Sequence, residues 1–341
     1  MRPSLLLLLA VSARAHAQWV IQPSGTEADL RGLSVVSPRV VWASGAHGTV
    51  LHTTNGGQTW TVDTIPRAST LDLRAIAATS ASVAHAMSIA DSSRIFRTVD
   101  GGRTWSLRYV SVRPGSFFDA LRFSDARHGI VMSDPVDGRF LLVTTHDGGD
   151  TWKEVPADRL PSTLAGERAY AASGSGVATF GRDVWFGSGG AASARVFHSA
   201  DRGSTWSVTD TPIRAGVRSA GIFSIAFRDA KHGVIAGGDY RQPGLRGRNL
   251  ALTADGGATW TVVDSATSPA GYRSSVTFVP GTRGKRLVAV GLNGTDVSSD
   301  GGLTWTPVDT AAYNAVSFAS STVGFAVGAR GRIARFAGKQ P

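Results

Sequence analysis

Short apolar runs separated by polar turns follow one another along most of the chain. One kind of run, such as "LSVVS" or "IFSIAF", is followed by a polar turn and then by a second kind, such as "VVWASG", "HGIVMSD" or "LVAVG". A third run, such as "TVLHT" or "RIFRT", leads into a glycine-containing turn, and a fourth run begins at a tryptophan. Apolar positions alternate with a period of two and show no helical period, which indicates β-strands. The pattern predicts repeated units of four antiparallel strands.

The glycine-containing turn occurs six times, as "TTNGGQTW", "TVDGGRTW", "THDGGDTW", "SADRGSTW", "TADGGATW" and "SSDGGLTW". We call these six segments the glycine turns. Their closing tryptophans are 45 to 54 residues apart, a spacing typical of propeller blades. These tryptophans are Trp60, Trp105, Trp152, Trp206, Trp260 and Trp305.

A seventh unit supplies three runs between Ala315 and Phe336 and ends before any glycine turn. The missing strand is available in "QWVIQPSG" near the start of the chain, where Trp19 occupies the place of the turn tryptophans. Pairing these two segments closes a ring and leaves no blade with an unpaired neighbour. We therefore predict one all-β domain over residues 18–341, a seven-bladed β-propeller of four-stranded antiparallel blades whose N-terminal strand completes the last blade.

Every residue type shared by the glycine turns has a structural task. The side-chain oxygen at the third position can accept hydrogen bonds from amides two or three residues on, the shared glycine allows a positive φ, and the Ser/Thr hydroxyl can tie the strand end to the turn. The tryptophan buries a large apolar surface. Since six near-identical copies around a ring cannot all be one active centre, we expect folding units and not binding sites. The third-position residues are Asn55, Asp100, Asp147, Asp201, Asp255 and Asp300.

The segment "MRPSLLLLLAVSARAHAQ" has the form of a secretory leader. A basic residue precedes an apolar run too short to span a bilayer, and a small-x-small cleavage motif ends at Ala17. We expect removal of residues 1–17 and export of the mature chain to the periplasm or the extracellular space, or to a lumen in a photosynthetic host. The rest of the sequence contains no apolar stretch of transmembrane length.

Composition and charge narrow the classes of partner. The sequence has no cysteine, which excludes disulfides and thiolate metal sites. Lys and Arg number 35 against 25 Asp and Glu, and in an exported protein this excess favours acidic proteins or anionic surfaces over nucleic acid. The histidines have no zinc-site spacing, and no helix follows the glycine runs "SGSG" and "GSGG" to make a dinucleotide site. We expect a monomer with no cofactor and no metal.

The glycine turns resemble the Asp-box, or bacterial neuraminidase repeat, of sialidases, some β-glucan hydrolases, sortilin-type receptors and the photosystem II stability and assembly factor family. Blade length, the closing N-terminal strand and the leader look most like the photosystem II group. The resemblance implies a propeller that acts as a non-catalytic scaffold. Its expected partner is a protein client, such as an acidic protein or a membrane-protein assembly intermediate.

The two faces of such a propeller have different roles. The glycine turns and the turns between first and second strands lie on one face, the glycine-turn face; the turns between second and third strands and the links between blades lie on the other, the link face. Insertions lengthen the link face at Ser133–Arg139, Ala157–Gly176 and Gly237–Arg248. Their polar residues either stabilise turns or form a sugar or cation site. These residues are Asp134, Asp137, Glu167, Tyr170, Asp239 and Tyr240.

Arginines recur where the third strand of several units begins, namely Arg94, Arg139, Arg195, Arg248 and Arg332. If most of them face one side, they form a basic rim that attracts an acidic partner. Alternatively, long charged side chains here keep strand ends soluble and unpaired. The resemblance implies a similar role for the first interpretation, since photosystem II assembly factors are associated with an arginine-rich patch that engages their client, and both interpretations stay open here.

Enzymatic alternatives have weaker support. A sialidase-like site needs a tyrosine–glutamate pair, but the mature chain has only three glutamates, Glu27, Glu154 and Glu167, and no arginine-isoleucine-proline signature. A β-glucan hydrolase would use two carboxylates across a cleft, for which Asp134 and Asp239 are available. We therefore predict a client-binding scaffold without catalytic residues and keep a glycoside hydrolase or carbohydrate-binding propeller as the alternative.

Overall fold

Seven antiparallel sheets of four strands each make up the computed structural model, which describes residues 19–89 and 93–337. The sheets are the blades of a propeller, and the prediction of a seven-bladed all-β fold is confirmed. The expected leader, residues 1–17, lies outside the described residues. The first strands of neighbouring blades pack against one another around a central channel.

The strands of blades 1 to 3 follow the closing strand in chain order. They are β1 (Trp19–Gln22), β2 (Leu30–Val35), β3 (Val41–Gly45), β4 (Thr49–Thr53), β5 (Thr61–Thr64), β6 (Leu73–Ala78), β7 (Ala84–Ser88), β8 (Arg94–Thr98), β9 (Ser106–Val110), β10 (Phe118–Phe123), β11 (Gly129–Val136), β12 (Arg139–Thr145) and β13 (Lys153–Glu154). A single turn of 3-10 helix, Ala157–Arg159, begins the link to blade 4.

Blades 4 to 7 repeat the same order. Their strands are β14 (Val177–Phe180), β15 (Asp183–Gly187), β16 (Ala194–Ser199), β17 (Ser207–Thr211), β18 (Ala220–Phe227), β19 (Gly233–Asp239), β20 (Leu250–Thr253), β21 (Thr261–Val262), β22 (Ser275–Phe278), β23 (Leu287–Gly291), β24 (Gly294–Ser298), β25 (Thr306–Asp309), β26 (Ala315–Phe318), β27 (Gly324–Val327) and β28 (Ile333–Phe336). Strand order in blade 7 is β26, β27, β28 and β1.

Blade 7 is closed by the predicted pairing of the two ends of the described chain. Strand β1 runs antiparallel to β28, with Trp19 opposite Phe336. The Trp19 ring is 6% exposed and packs against Tyr313, Phe318 and Phe336 at centroid distances of 5.8, 6.2 and 5.7 Å. The N-terminal strand therefore contributes both a ladder and a buried aromatic side chain to the last blade.

The core consists of apolar layers between facing blades. Second strands such as β3 and β7 are buried along their whole length because both of their faces meet a neighbouring sheet. Between blades 3 and 4, the rings of Phe140, Phe186 and Phe197 lie within 4.6 to 5.1 Å of one another. This two-sided burial explains the nearly continuous apolar runs of the second strands.

The glycine turns are held by side-chain hydrogen bonds, as expected, but in every copy the third-position oxygen accepts the amide four residues on, one residue beyond the predicted range. In the second copy, the Thr98 hydroxyl donates to Asp100 Oδ1 at 2.8 Å and accepts from the Gly102 amide at 3.0 Å. The Asp100 carboxylate also accepts the Thr104 amide at 3.0 Å and the Thr104 hydroxyl at 2.5 Å. Hydrogen bonds from the Thr104 hydroxyl and then its amide lower the pKa of Asp100 to about 2. Gly102 has φ +87°.

The other five copies follow the same plan with two sequence exceptions. Asn55 replaces aspartate in the first copy and still accepts the Thr59 amide at 3.1 Å. Arg202 replaces a glycine in the fourth and adopts φ 62°, a left-handed conformation that glycine reaches without strain. The glycine that all six copies share is closely packed. In the third copy, a Cβ on Gly149 would lie 2.3 Å from the His85 ring. The turns therefore act as braces between blades.

Candidate functional site

Four first strands carry a β-bulge near their link-face ends. The register shifts between Leu30 and Gly32, Leu73 and Ala75, Phe118 and Ala120, and Ile222 and Ser224. A bulge bends the strand and re-aims one side chain, and such irregularities are common next to functional sites. The four bulged residues, which we call the bulge ring, are Arg31, Arg74, Asp119 and Phe223.

The two arginines of the bulge ring reach into the channel. Arg31 pairs with Asp29 at 2.9 Å, and Arg74 pairs with Asp72 at 2.7 Å. Each also donates to a backbone carbonyl in the link to blade 4, at 3.5 Å and 3.1 Å respectively. Sequence reasoning missed both arginines, although the tripeptide "DLR" occurs twice at equivalent blade positions and could have drawn attention to them.

The end of the same link crosses the central channel. The Ser173 hydroxyl donates to the Ser274 carbonyl of blade 6 at 2.8 Å, and the Ser175 hydroxyl donates to Ser224 of blade 5 at 2.8 Å. On the other side, Gly174 lies against blade 2, where a Cβ would come 3.0 Å from Ala75. We call residues 171–175 the plug. The insertion predicted as a long surface link thus closes the channel.

A buried ion pair anchors the link before it enters the channel. Arg195 Nε lies 2.9 Å from Glu167 Oε1, and its Nη2 contacts Glu167 Oε2. The same carboxylate accepts the Leu164 amide at 2.8 Å and the Ser188 hydroxyl at 2.6 Å. Arg195 is 8% exposed and its guanidinium also donates to the Ser162 carbonyl. The sequence predicted that Arg195 is an exposed rim residue. This prediction is wrong, because Arg195 is buried and its charge pairs with Glu167.

An aromatic group lies beside the plug. Tyr170 stacks on Phe223 with ring centroids 3.9 Å apart, and its hydroxyl donates to the Ala220 carbonyl at 2.8 Å. Tyr272 and Tyr240 meet Phe223 edge-on at 4.8 and 6.0 Å. Tyr240 is 40% exposed, so it presents this group to solvent on the link face.

Asp119 of the bulge ring lies close to a second carboxyl group, that of Asp134. Asp119 is 1% exposed, and burial, followed by the charge of Asp134, raises its pKa well above the usual range. Its Oδ2 has no hydrogen-bond partner among the described residues. Burial also raises the pKa of Asp134, which accepts the Ala169 amide at 2.8 Å. Arg74 and Arg168 are close enough to oppose the shift in Asp119. Sequence reasoning placed Asp134 on this face but missed Asp119.

The remaining sugar-site or cation-site candidates are divided among separate turns. Asp137 adopts φ 51° in a tight turn, because β11 and β12 extend through the Ser133–Arg139 insertion and leave no long loop there. Asp239 is 3% exposed and accepts the Arg241 amide at 2.9 Å. Within residues 19–89 and 93–337, no three His, Asp or Glu residues form a group that could hold a metal ion.

The other predicted rim arginines lie near the link-face ends of third strands. Arg94 and Arg139 begin their strands and are partly buried, and Arg139 donates to the Leu160 carbonyl. Arg248 is exposed and Arg332 partly buried, and each donates to a backbone carbonyl, at 2.7 and 2.8 Å. Their role in binding a partner stays a prediction.

Comparison with known proteins gives structural neighbours only, since no family model and no curated protein matches the chain. YCF48 bound to a D1 peptide has 16% identity and a TM-score of 0.68, with 95% of this chain and 98% of that chain covered. YCF48 from Cyanidioschyzon merolae has 21% identity and a TM-score of 0.65, with 94% and 99% covered. The chain has the fold of YCF48.

A glycosidase shares the fold as well. The GH74 xyloglucanase from Xanthomonas campestris has 16% identity and a TM-score of 0.63, with 93% of this chain but only 53% of that chain covered. The likeness to YCF48, a photosystem II assembly factor, agrees with the resemblance seen in the glycine turns. In the part of the chain that the structure describes, no helix is long and apolar enough to cross a membrane.

Proposed function

We propose that this propeller is a non-catalytic scaffold that binds an acidic protein client on its link face. The observation that carries the proposal is a group of exposed arginines beside the half-exposed Tyr240. Arg218, whose neighbour Ser219 accepts the Tyr240 amide, is exposed, as are the arginines of the adjoining loop. These loop arginines are Arg241, Arg246 and Arg248. Arginine and tyrosine together are the side chains that dominate binding at protein interfaces.

The likeness to YCF48 supports a peptide-like client, because one YCF48 structure holds a D1 peptide. Since a shared fold does not fix a partner, the acidic character of the client is inferred from the surface chemistry of this chain. A basic surface speeds encounter with an acidic partner and makes binding depend on ionic strength, since charges are screened over about 10 Å at 0.1 M salt.

Charge reversal on one face, with a matched control on the other, tests the proposal. Clients crosslinked to the protein in its own cells are identified, purified and titrated by fluorescence anisotropy against three forms of the protein. We expect Arg218→Glu with Arg241→Glu to weaken binding at least about tenfold at low salt. Arg103→Glu with Arg127→Glu changes the net charge equally on the glycine-turn face and should leave binding intact. Equal affinities for all three forms, or affinity unaffected by salt, would overturn the proposal.

A glycoside hydrolase is the second candidate, because the xyloglucanase neighbour and the Asp119–Asp134 pair both suggest it. A hydrolase needs two carboxyl groups that reach the two sides of a glycosidic bond. Asp119 is 1% exposed, and Asp134 already accepts a backbone amide. We expect no release of reducing sugar from xyloglucan, and turnover that Asp134→Asn abolishes would replace the scaffold proposal with this one.

Export belongs to the same proposal. Cleavage after Ala17 would leave Gln18 as the first residue, immediately before β1. The leader would thus be removed without loss of the strand that closes blade 7. N-terminal sequencing of the protein from its own cells tests this: Gln18 as the first residue supports export, and an intact Met1 refutes it.

A further inference from the structure

The plug leaves a cavity at the glycine-turn-face end of the channel. This cavity, which we call the cup, has a volume of about 380 Å³ and is lined by the glycine-turn-face ends of the first strands, with Ser173, Gly174 and Ser175 of the plug as its floor. Its volume lies within the range of small-molecule sites, roughly 300–1,000 Å³. The link-face surface proposed above and the cup lie on opposite sides of the plug.

The second-to-last position of the first strand carries a different type of residue in one blade than in the other six. The residue before the last residue of each first strand pairs across to the second strand at the same level in all seven blades. Small residues occupy this position in six blades, and blade 3 has an arginine instead. In blade order these residues are Ser34, Ala77, Arg122, Thr179, Ala226, Thr277 and Ser317.

Among the described residues that line the cup, Arg122 alone carries a charge. Its side chain is exposed to the cup and has no hydrogen-bond or ion-pair partner among the described residues. The surrounding blades enclose it, and this desolvation lowers the pKa of its guanidinium. A cation held in partial desolvation without a counter-charge favours an anion that enters the cavity.

Hydroxyl groups supply the rest of the polar lining. Thr179 lies beside Arg122 at the gap between blades 3 and 4, and Ser317 faces the cup from blade 7. Neither hydroxyl makes a hydrogen bond within the residues that the structure describes, so both are available to a ligand. The floor adds Ser173 and Ser175, whose hydroxyls already bond to each other at 2.6 Å.

We propose that the cup binds a small hydroxylated carboxylate, with Arg122 pairing to the carboxylate and the free hydroxyls of Thr179 and Ser317 bonding to the ligand's hydroxyl groups. The guanidinium fork matches a carboxylate through two parallel hydrogen bonds. A single positive charge balances a monocarboxylate, whereas a phosphate dianion would remain half neutralised. The lining of the cup therefore favours a ligand that has one negative charge and several hydroxyl groups.

Ligand-observed NMR titration with glucuronate as the probe tests the site. Glucose, which lacks the carboxylate, and inorganic phosphate serve as comparison probes. We expect glucuronate to bind more tightly than either, and Arg122→Ala to weaken glucuronate binding at least about tenfold through loss of the charge-assisted bonds. Arg122→Lys should retain part of the affinity. Arg122→Ala should fold normally, because blades 2 and 5 carry alanine at the equivalent position.

Arg39→Ala provides the matched control, since Arg39 is an exposed arginine on the same face but outside the cup lining. It should bind glucuronate like the wild type. The proposal is overturned if glucuronate does not bind, if glucose or phosphate binds equally well, or if Arg39→Ala loses as much affinity as Arg122→Ala. It is equally overturned if Arg122→Ala binds like the wild type with an unchanged melting temperature.

Discussion

The substitution Trp19→Ala tests whether β1 closes the ring of blades. The assignment of the two faces of the propeller depends on this closure. Trp19 is the first residue of β1 and lies among three aromatic rings of blade 7, with 6% of its surface exposed. Trp19→Ala leaves the backbone ladder to β28 in place but removes the side chain that fills this part of the core. The cavity that it leaves is bounded by rigid rings and can collapse only in part.

The size of the effect follows from this burial. Replacement of a buried tryptophan by alanine costs about 3–5 kcal/mol in the free energy of unfolding. The same strand offers a matched control in Ile21, which is 59% exposed. Ile21→Ala should change the stability by less than about 0.5 kcal/mol, as exposed substitutions usually do.

Urea unfolding followed by circular dichroism measures both variants at pH 7. A fall in the midpoint for Trp19→Ala with an unchanged m-value would report lost stability and not a change in the native state. A loss of less than about 1 kcal/mol for Trp19→Ala, well below the cost of a buried tryptophan, would contradict closure of blade 7 by β1. The prediction is refuted equally if Ile21→Ala is as destabilising as Trp19→Ala.

Two further predictions concern charged groups within the fold. Glu167→Ala leaves the Arg195 guanidinium buried without its partner. It should therefore lower the free energy of unfolding, measured with urea, by about 3–5 kcal/mol. A decrease of less than about 1 kcal/mol would contradict the anchoring role of the pair. Because the folded pKa of Asp100 is about 2, below its value in the unfolded chain, its contribution to stability is complete above pH 4 and is lost as the pH falls through 2. Asp100→Asn should therefore reduce the fall in melting temperature between pH 5 and pH 2, and an unchanged pH profile would show that this turn does not carry the effect.

The fold could be predicted from sequence because its signals are local and repeated. Each glycine turn contains its own hydrogen-bond partners within a few residues, as Thr98 and Thr104 do around Asp100. The alternation of apolar residues in each strand is equally local. Closure by β1 followed from counting strands in the last unit, and the pairing of Trp19 with Phe336 confirms it.

The sites were less predictable because they depend on pairings between distant residues. A bulge at Arg31 or Arg74 is defined by the register against the second strand, and nothing in the first strand alone reveals it. Arg195 has the sequence context of an exposed rim residue, yet Glu167, 28 residues earlier, is folded against it. The plug likewise contains only small residues, whose partners lie in blades 1, 2, 5 and 6.

The plug gives the two faces separate chemistry within one ring. On the link face, Arg74 and Arg31 pair with Asp72 and Asp29 and also donate to the carbonyls of Ala171 and Ala172. The exposed arginines of the proposed client surface lie farther out, in and beside blade 5. On the glycine-turn face, no carbonyl of the plug hydrogen-bonds to Arg122 within the described residues. The cup, at about 380 Å³, is too small for a protein client, and its lining includes no residue of the Gly237–Arg248 insertion. Coupling between the two sites would therefore have to pass through the plug, whose position is fixed by the Glu167–Arg195 pair at one end and by the serine contacts at the other.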